Sequence, residues 1–217
     1  MSPRVLGVIP ARGGSKRIPR KNCRLLRGLP LIVYTIRAAQ AACKLTEWVV
    51  STEDKEIATL ALSYGARIVK RPDELAEDDT TSGTVARHAL DWMEDDRQYD
   101  MVVLLHPTSP IRDPNHIDQA IQKLWDSRHY YSRLASVYEL PQKTHTNLFD
   151  ANLYPVKGPA YRLNASIYAV LREQIIKDNK HAGWPFVPFW MDRYHSLDID
   201  EECDFKVGEL YLDALSA

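Results

Sequence analysis

The chain has 217 residues, a formal net charge of −1 and 45% hydrophobic residues, which suits one domain with a sizeable core and excludes a disordered chain. The near-neutral balance argues against a general nucleic-acid binder, and no apolar run approaches the roughly 18 residues of a membrane span. Cys23, Cys43 and Cys203 have no paired spacing, so neither a disulfide framework nor a structural zinc site is expected. The apolar stretch Val5 to Ala11 is too short for a signal peptide, and a cytoplasmic protein is expected.

Val5 to Ile9 reads as a buried strand that runs into Gly13-Gly14-Ser15. Leu31 to Ala42 has helical periodicity after Pro30, and Glu47 to Thr52 reads as a second strand. Lys55 to Tyr64 reads as a helix capped by Thr52 or Asp54 and stopped by Gly65. Ala66 to Val69 is a short strand, and a helix is expected from about Thr84 to Glu94. Met101 to Leu105 is continuously apolar, as in a strand covered on both faces. Asp113-Pro114 then opens a helix to about Trp125, followed by a strand at Leu134 to Tyr138. This alternation predicts an α/β fold with a mainly parallel sheet covered on both sides. Gln142 to Arg162 is polar and aperiodic, so it reads as a lid, a substrate loop or an oligomer arm. Regular structure is expected again at Ala165 to Leu171.

Ligands in such sheets sit outside the carboxyl ends of the strands. That rule gathers residues 10–22, 51–54 and 106–112 around one cleft. Between Ala11 and Gly28 lie seven basic residues and no acidic one. Gly13, Gly14 and Ser15 offer backbone donors, and Arg12, Lys16 and Lys21 could neutralise a triphosphate. The spacing matches neither GK[ST] nor GxGxxG; the plainer alternative is a solvated basic loop or a localisation signal. Asp198 and Asp200 flank Ile199. In extended chain both carboxylates face one side, a pairing that with substrate phosphates suits Mg²⁺; the alternative is an acidic surface turn. The segment Leu104 to Arg112 carries His106, Thr108, Ser109 and Arg112 at the sheet edge.

Taken together, Ile9 to Lys16 with Pro19 to Asn22, Val50 to Asp54, Arg71 to Thr80, Leu104 to Arg112 and Leu197 to Asp200 resemble the CMP-nonulosonate synthetase family, the N-acylneuraminate cytidylyltransferases. The resemblance implies one Rossmann-like, three-layer α/β nucleotidyltransferase domain over residues 1–217, with 139–168 as a small protruding arm and sugar-site subdomain. It implies CTP and an acid sugar as substrates, Mg²⁺ as cofactor, a homodimer, and no nucleic-acid or membrane partner. The implied nucleotide contacts are the loop from Ala11 to Lys16 with Lys21, Asn22 and Arg71. Asp198 and Asp200 are the implied metal ligands, and Arg12, Lys16, Lys21 and Asp200 the catalytic set. The sugar side is expected at His106, Thr108, Ser109, Lys143, Arg162 and Tyr168. His106 stands where sialic-acid enzymes commonly carry Gln, and the stretch at Tyr161 to Tyr168 is shortened. Other readings are activation of another acid sugar or a sugar phosphate, a catalytically silent nucleotide-binding module, or RNA binding through the basic loop.

Overall fold

The computed structural model describes residues 2–94, 98–140 and 161–216. Strand β1 (Val5–Pro10) lies at the centre, between β4 (Glu47–Thr52) and β6 (Met101–Leu104). The hairpin strands β2 (Leu25–Leu26) and β3 (Leu29–Pro30) form a separate two-stranded sheet. With β5 (Arg67–Lys70), β7 (Arg133–Glu139), β8 (Tyr161–Leu171) and β9 (Val187–Trp190), the main sheet has the order β5-β4-β1-β6-β8-β7-β9. Parallel pairing joins β5 to β4, β4 to β1, β1 to β6 and β7 to β9; β8 alone is antiparallel to its neighbours β6 and β7. The fold is the expected α/β class.

Among the described residues six α-helices accompany these strands: α1 (Leu31–Ala41), α2 (Lys55–Ser63), α3 (Ser82–Met93), α4 (Pro114–Ser127), α5 (Arg172–Asp178) and, after β9, α6 (Glu202–Ser216). The Asp54 carboxylate accepts from the Ile57 N–H at 2.9 Å, which starts α2, and Gly65 follows its end at φ +79°. Asp113 caps α4, accepting from Asn115 N–H at 2.7 Å with Pro114 in the first turn. Helix α3 begins earlier than its pattern suggested, because the Thr81 hydroxyl caps it at Thr84 N–H.

Hydrophobic layers cover both faces of the sheet. One contains Ile9, Val103, Ile32 and Ile117, the other Leu6, Leu104, Ala86 and Leu90. A third, smaller cluster joins Ile18, Leu26, Leu31, Ile199 and Phe205. It anchors the basic loop, the Asp198–Asp200 segment and α6 to one another. Burying Ile18 and Ile199 completely gives the charged loop an apolar foundation, at about 25 cal/mol for each Å² removed from water.

Residues 161–168, at the end of the expected 139–168 subdomain, are regular strand. They belong to β8 in the main sheet, pairing Leu104 with Tyr168 and Glu139 with Tyr161. Lys143 and the rest of 141–160 lie outside the described residues. The antiparallel direction of β8 brings its first residues to the same edge as the ends of β1, β4 and β6. A β-bulge interrupts the β7–β8 ladder between Ala135 and Val137, and Ala165 takes φ +57°; such irregularities re-aim groups at sheet edges.

Candidate active site

A cleft of about 400 Å³ opens at the carboxyl edge of the sheet. Arg12, Gly14, Ser15, Lys16, Arg17 and Lys21 form one wall, and Asn22, His106, Pro107, Thr108 and Asp200 complete it. The structure therefore brings the basic loop, the β6–α4 loop and the acidic segment together.

Each of the seven loop cations has an acidic partner. Arg12 and Lys16 share Asp78 at 2.8 and 2.5 Å, and Lys21 and Arg17 share Asp200 at 3.2 and 3.1 Å. Arg20 binds Asp54 at 2.6 Å and also reaches Glu56; Arg24 pairs with Glu202, and Arg27 with Asp213 at 2.7 Å. Arg17, Arg24 and Arg27 tie the loop to the C-terminal segment. The Arg20 guanidinium holds the Asp54 carboxyl down at about 2.

Backbone positions divide into spent and available donors. Ala11 N–H donates to Ser51 O at 3.0 Å, and Gly13 N–H to the Glu53 carboxylate at 2.6 Å. Neither is a free donor to phosphate in this arrangement, whereas Gly14 and Ser15 line the cleft. Glycine is required at 13 because an added Cβ would lie 2.9 Å from the Asp54 Cβ. Asn22 donates to Arg12 O at 3.0 Å and so braces the loop. Arg71 is buried, with its guanidinium on Ser51 O at 2.6 Å and Ser51 Oγ at 3.3 Å.

On the acidic side, Ile199 is fully buried and its N–H donates to Thr108 O at 2.7 Å. Lys21 Nζ donates to Ile199 O at 2.7 Å. These bonds fix Asp198 and Asp200 on either side of Ile199. Asp198 Oδ1 is buried without a hydrogen-bond partner among the described residues. Burial pushes the Asp198 carboxyl up, while the Thr108 hydroxyl opposes that shift. An orphaned buried carboxylate oxygen beside a second carboxylate fits a hard divalent cation. Among the described residues no set of three or more His, Cys, Asp or Glu could hold one, so the remaining ligands would come from substrate phosphates and water, as Mg²⁺ accepts.

The expected sugar residues divide. His106 lines the cleft and Thr108 joins it. Ser109 does not: its hydroxyl is fully buried on Asn164 O at 3.4 Å. Tyr168 is a packing wall 5.7 Å behind the His106 ring, and His181 lies 4.8 Å from Tyr168. Arg162 is exposed and lines a second cleft of about 380 Å³ with Arg193, Tyr138 and Tyr211. Asp200 borders both clefts.

His106 Nδ1 lies 3.0 Å from Ala165 O and Nε2 lies 3.2 Å from Ser82 Oγ. A carbonyl can only accept, so Nδ1 carries the proton and Nε2 accepts from the Ser82 hydroxyl. Burial pushes His106 and His181 down to about 4. The unfolded chain therefore binds protons that the native chain refuses between the ordinary value of 6.5 and about 4. Their contribution to stability is full above that window and is lost as pH falls through it. In denaturant titrations His181→Gln is expected to remove about one proton from the pH dependence across this window; an unchanged slope would contradict a buried, neutral His181.

Arg112 carries a positional role that its motif alone did not reveal. Its buried guanidinium bonds Ser166 O at 2.9 Å, His106 O at 3.0 Å and Thr35 Oγ1 at 3.3 Å. One side chain thereby joins β8, the β6–α4 loop and α1. Burial pushes it down to about 9, so it remains a cation near neutral pH.

Residues 6–175 match the family described as Cytidylyltransferase. The CMP-N,N'-diacetyllegionaminic acid synthase of Legionella pneumophila is 35% identical over 97% of this chain and 97% of its own length. The N-acylneuraminate cytidylyltransferase of Escherichia coli is 31% identical over 96% of this chain, which spans 52% of that relative. A solved CMP:2-keto-3-deoxy-manno-octonic acid synthetase complexed with CTP superposes with a TM-score of 0.75 at 16% identity, over 99% of this chain and 100% of its own; that likeness establishes the fold. No helix among the described residues is long and apolar enough to cross a membrane. By sequence match along almost its whole length and by fold, the chain belongs to the cytidylyltransferase family and, within it, to the CMP-nonulosonate synthetases.

Proposed function

We propose that this chain transfers CMP from CTP to the anomeric hydroxyl of a nonulosonic acid of the sialic, legionaminic or pseudaminic type. The hydroxyl oxygen bonds to the α-phosphorus and gives up its proton to solvent as the α–β bridging oxygen leaves with pyrophosphate. The observation that carries this reading is the cleft itself: Arg12, Lys16, Lys21 and Asp200 line one cavity of about 400 Å³, with Asp200 paired to Lys21 at 3.2 Å.

In this reading Gly14 and Ser15 approach the phosphates through their backbone, and Arg12, Lys16 and Lys21 stabilise charge that grows on phosphoryl oxygens. The triphosphate would take over cations now held by Asp78 and Asp200. Asn22 and Arg71 shape the cytidine side, and neutral His106 faces the sugar with Tyr168 behind it. Asp198 and Asp200 would hold Mg²⁺, which when bound supplies charge neutralisation at the phosphates. Catalysis by this chain is then mainly orientation and electrostatic stabilisation. The reading extends to a cytoplasmic homodimer.

A pyrophosphate-release screen tests this function. Four nucleoside triphosphates are crossed with N-acetylneuraminate, legionaminate, pseudaminate and 3-deoxy-manno-octulosonate, with and without Mg²⁺. Release is expected with CTP and at least one of the first three acids. Release with none of them would overturn the proposal.

A further inference from the structure

Glu53 belongs to the segment Val50–Asp54 at the end of β4. In the sheet order β4 lies between β5 and β1. Glu53 therefore stands between Arg71, which follows β5, and the phosphate loop that follows β1. Its Oε1 accepts the Gly13 N–H at 2.6 Å. Its Oε2 is buried, makes no hydrogen bond among the described residues, and lies 4.0 Å from Arg71 Nε. The Arg71 and Glu53 side chains are only 4% and 15% exposed, so their charges face each other with little screening. A carboxylate removed from water is retained at a cost. That cost argues for a role in holding the loop.

We infer that Glu53 is a positioning residue of the nucleotide site: it fixes the phosphate loop by accepting the Gly13 N–H, and Arg71 holds its carboxylate in the orientation that makes this bond. The inference rests on the nucleotide-binding reading only for its consequence in affinity. Three contacts restrict the loop at this point. Ala11 is bonded to Ser51, Gly13 to Glu53, and Asp54 fills the space beside Gly13. The first two are hydrogen bonds that start the loop in one register, so Gly14 and Ser15 emerge facing the cleft. Ser51 also accepts from Arg71, so one short stretch of β4 secures both the phosphate and the base side. Glu53 is not among the residues lining the cleft and is not a catalytic residue.

The test compares full-length Glu53→Ala, Glu53→Gln and Glu53→Asp with the wild type, by amide hydrogen exchange over residues 11–16 and by calorimetric titration with CTP in the absence of sugar. Glu53→Ala is expected to accelerate exchange in the loop while residues 5–10 of β1 stay protected, and to weaken CTP binding by roughly 10-fold or more. Glu53→Gln keeps an oxygen acceptor for Gly13, so loop protection and affinity are expected to return to within about 3-fold of wild type. Should the alanine variant fail to fold, Glu53→Asp gives the same comparison, since its shorter side chain withdraws the acceptor. Unchanged loop exchange in the alanine or aspartate variant would overturn the inference, as would a glutamine variant as impaired as alanine. If the wild type binds no CTP, the nucleotide reading fails on its own, and the exchange comparison still decides whether Glu53 positions the loop.

Discussion

Replacing Asp200 by asparagine is expected to lower the turnover of pyrophosphate release by about 100-fold or more while the protein stays folded. Asp200 is the point at which the basic loop, the acidic segment and both clefts meet. Its side chain is 52% exposed, so its ion pairs with Lys21 and Arg17 contribute little to stability. Its backbone is held by other groups. The Asp200 N–H donates to Asp204 Oδ2 at 2.8 Å, and the neighbouring Ile199 is fully buried. Asparagine should therefore occupy the same place without the charge. The loss should fall mainly on kcat, because a missing charge at the reacting phosphates is felt most as the transition state forms. Near-normal turnover of Asp200→Asn at saturating Mg²⁺ would reject the assignment of this carboxylate.

Lys16→Ala should lose activity by a similar factor of about 100-fold, with an unfolding midpoint unchanged within error. Lys16 is the most exposed of the loop cations in ion pairs, at 78% of its side chain, and its salt bridge is with the surface residue Asp78. Such an exposed, solvent-screened pair adds little to stability. Lys21 makes a useful contrast. Its side chain is only 12% exposed and it also binds Ile199 O, so Lys21→Ala would mix lost catalysis with a loosened acidic segment. Lys16 separates the two effects. Steady-state rates measured beside a thermal melt decide the matter: full activity, or a loss matched by unfolding, would each contradict a role at the phosphates.

Much of the architecture could be read from local pattern. Met101 to Leu104 forms a strand because a continuous apolar run suits a position covered on both faces, and Asp54 and Asp113 cap the helices that follow them. The direction of β8 could not be read this way. Alternation and apolar content point to regular structure at Ala165 to Leu171, but do not show whether that strand runs with or against its neighbours, or that it extends back to Tyr161. The same limit hid the site's supports. Ile18 is an apolar residue inside the basic loop, and its partners Ile199 and Phe205 lie far along the chain.

Charge was legible as an excess but not as a pattern of pairs. The acids that answer the loop come from 54–56, 78 and 200–213, and only the fold brings them near. Ser109 misled because a hydroxyl in a loop at the sheet edge can turn either way, and here it bonds Asn164 O inside the protein. Gly13 likewise seemed a free donor until Glu53 was placed beside it. In both cases the residue type was informative and the partner was not local.

The central claim is that this cleft joins CMP to an acid sugar. Its most direct measurement is mass-spectrometric analysis of a reaction containing the wild-type protein, CTP, Mg²⁺ and legionaminate, N-acetylneuraminate or pseudaminate in turn, with pyrophosphate quantified in parallel. The expected result is a CMP–sugar conjugate from at least one acid, formed in equal amount to the pyrophosphate released. Conversion of CTP to free CMP with no conjugate, or no consumption of CTP with any of the three, would contradict it.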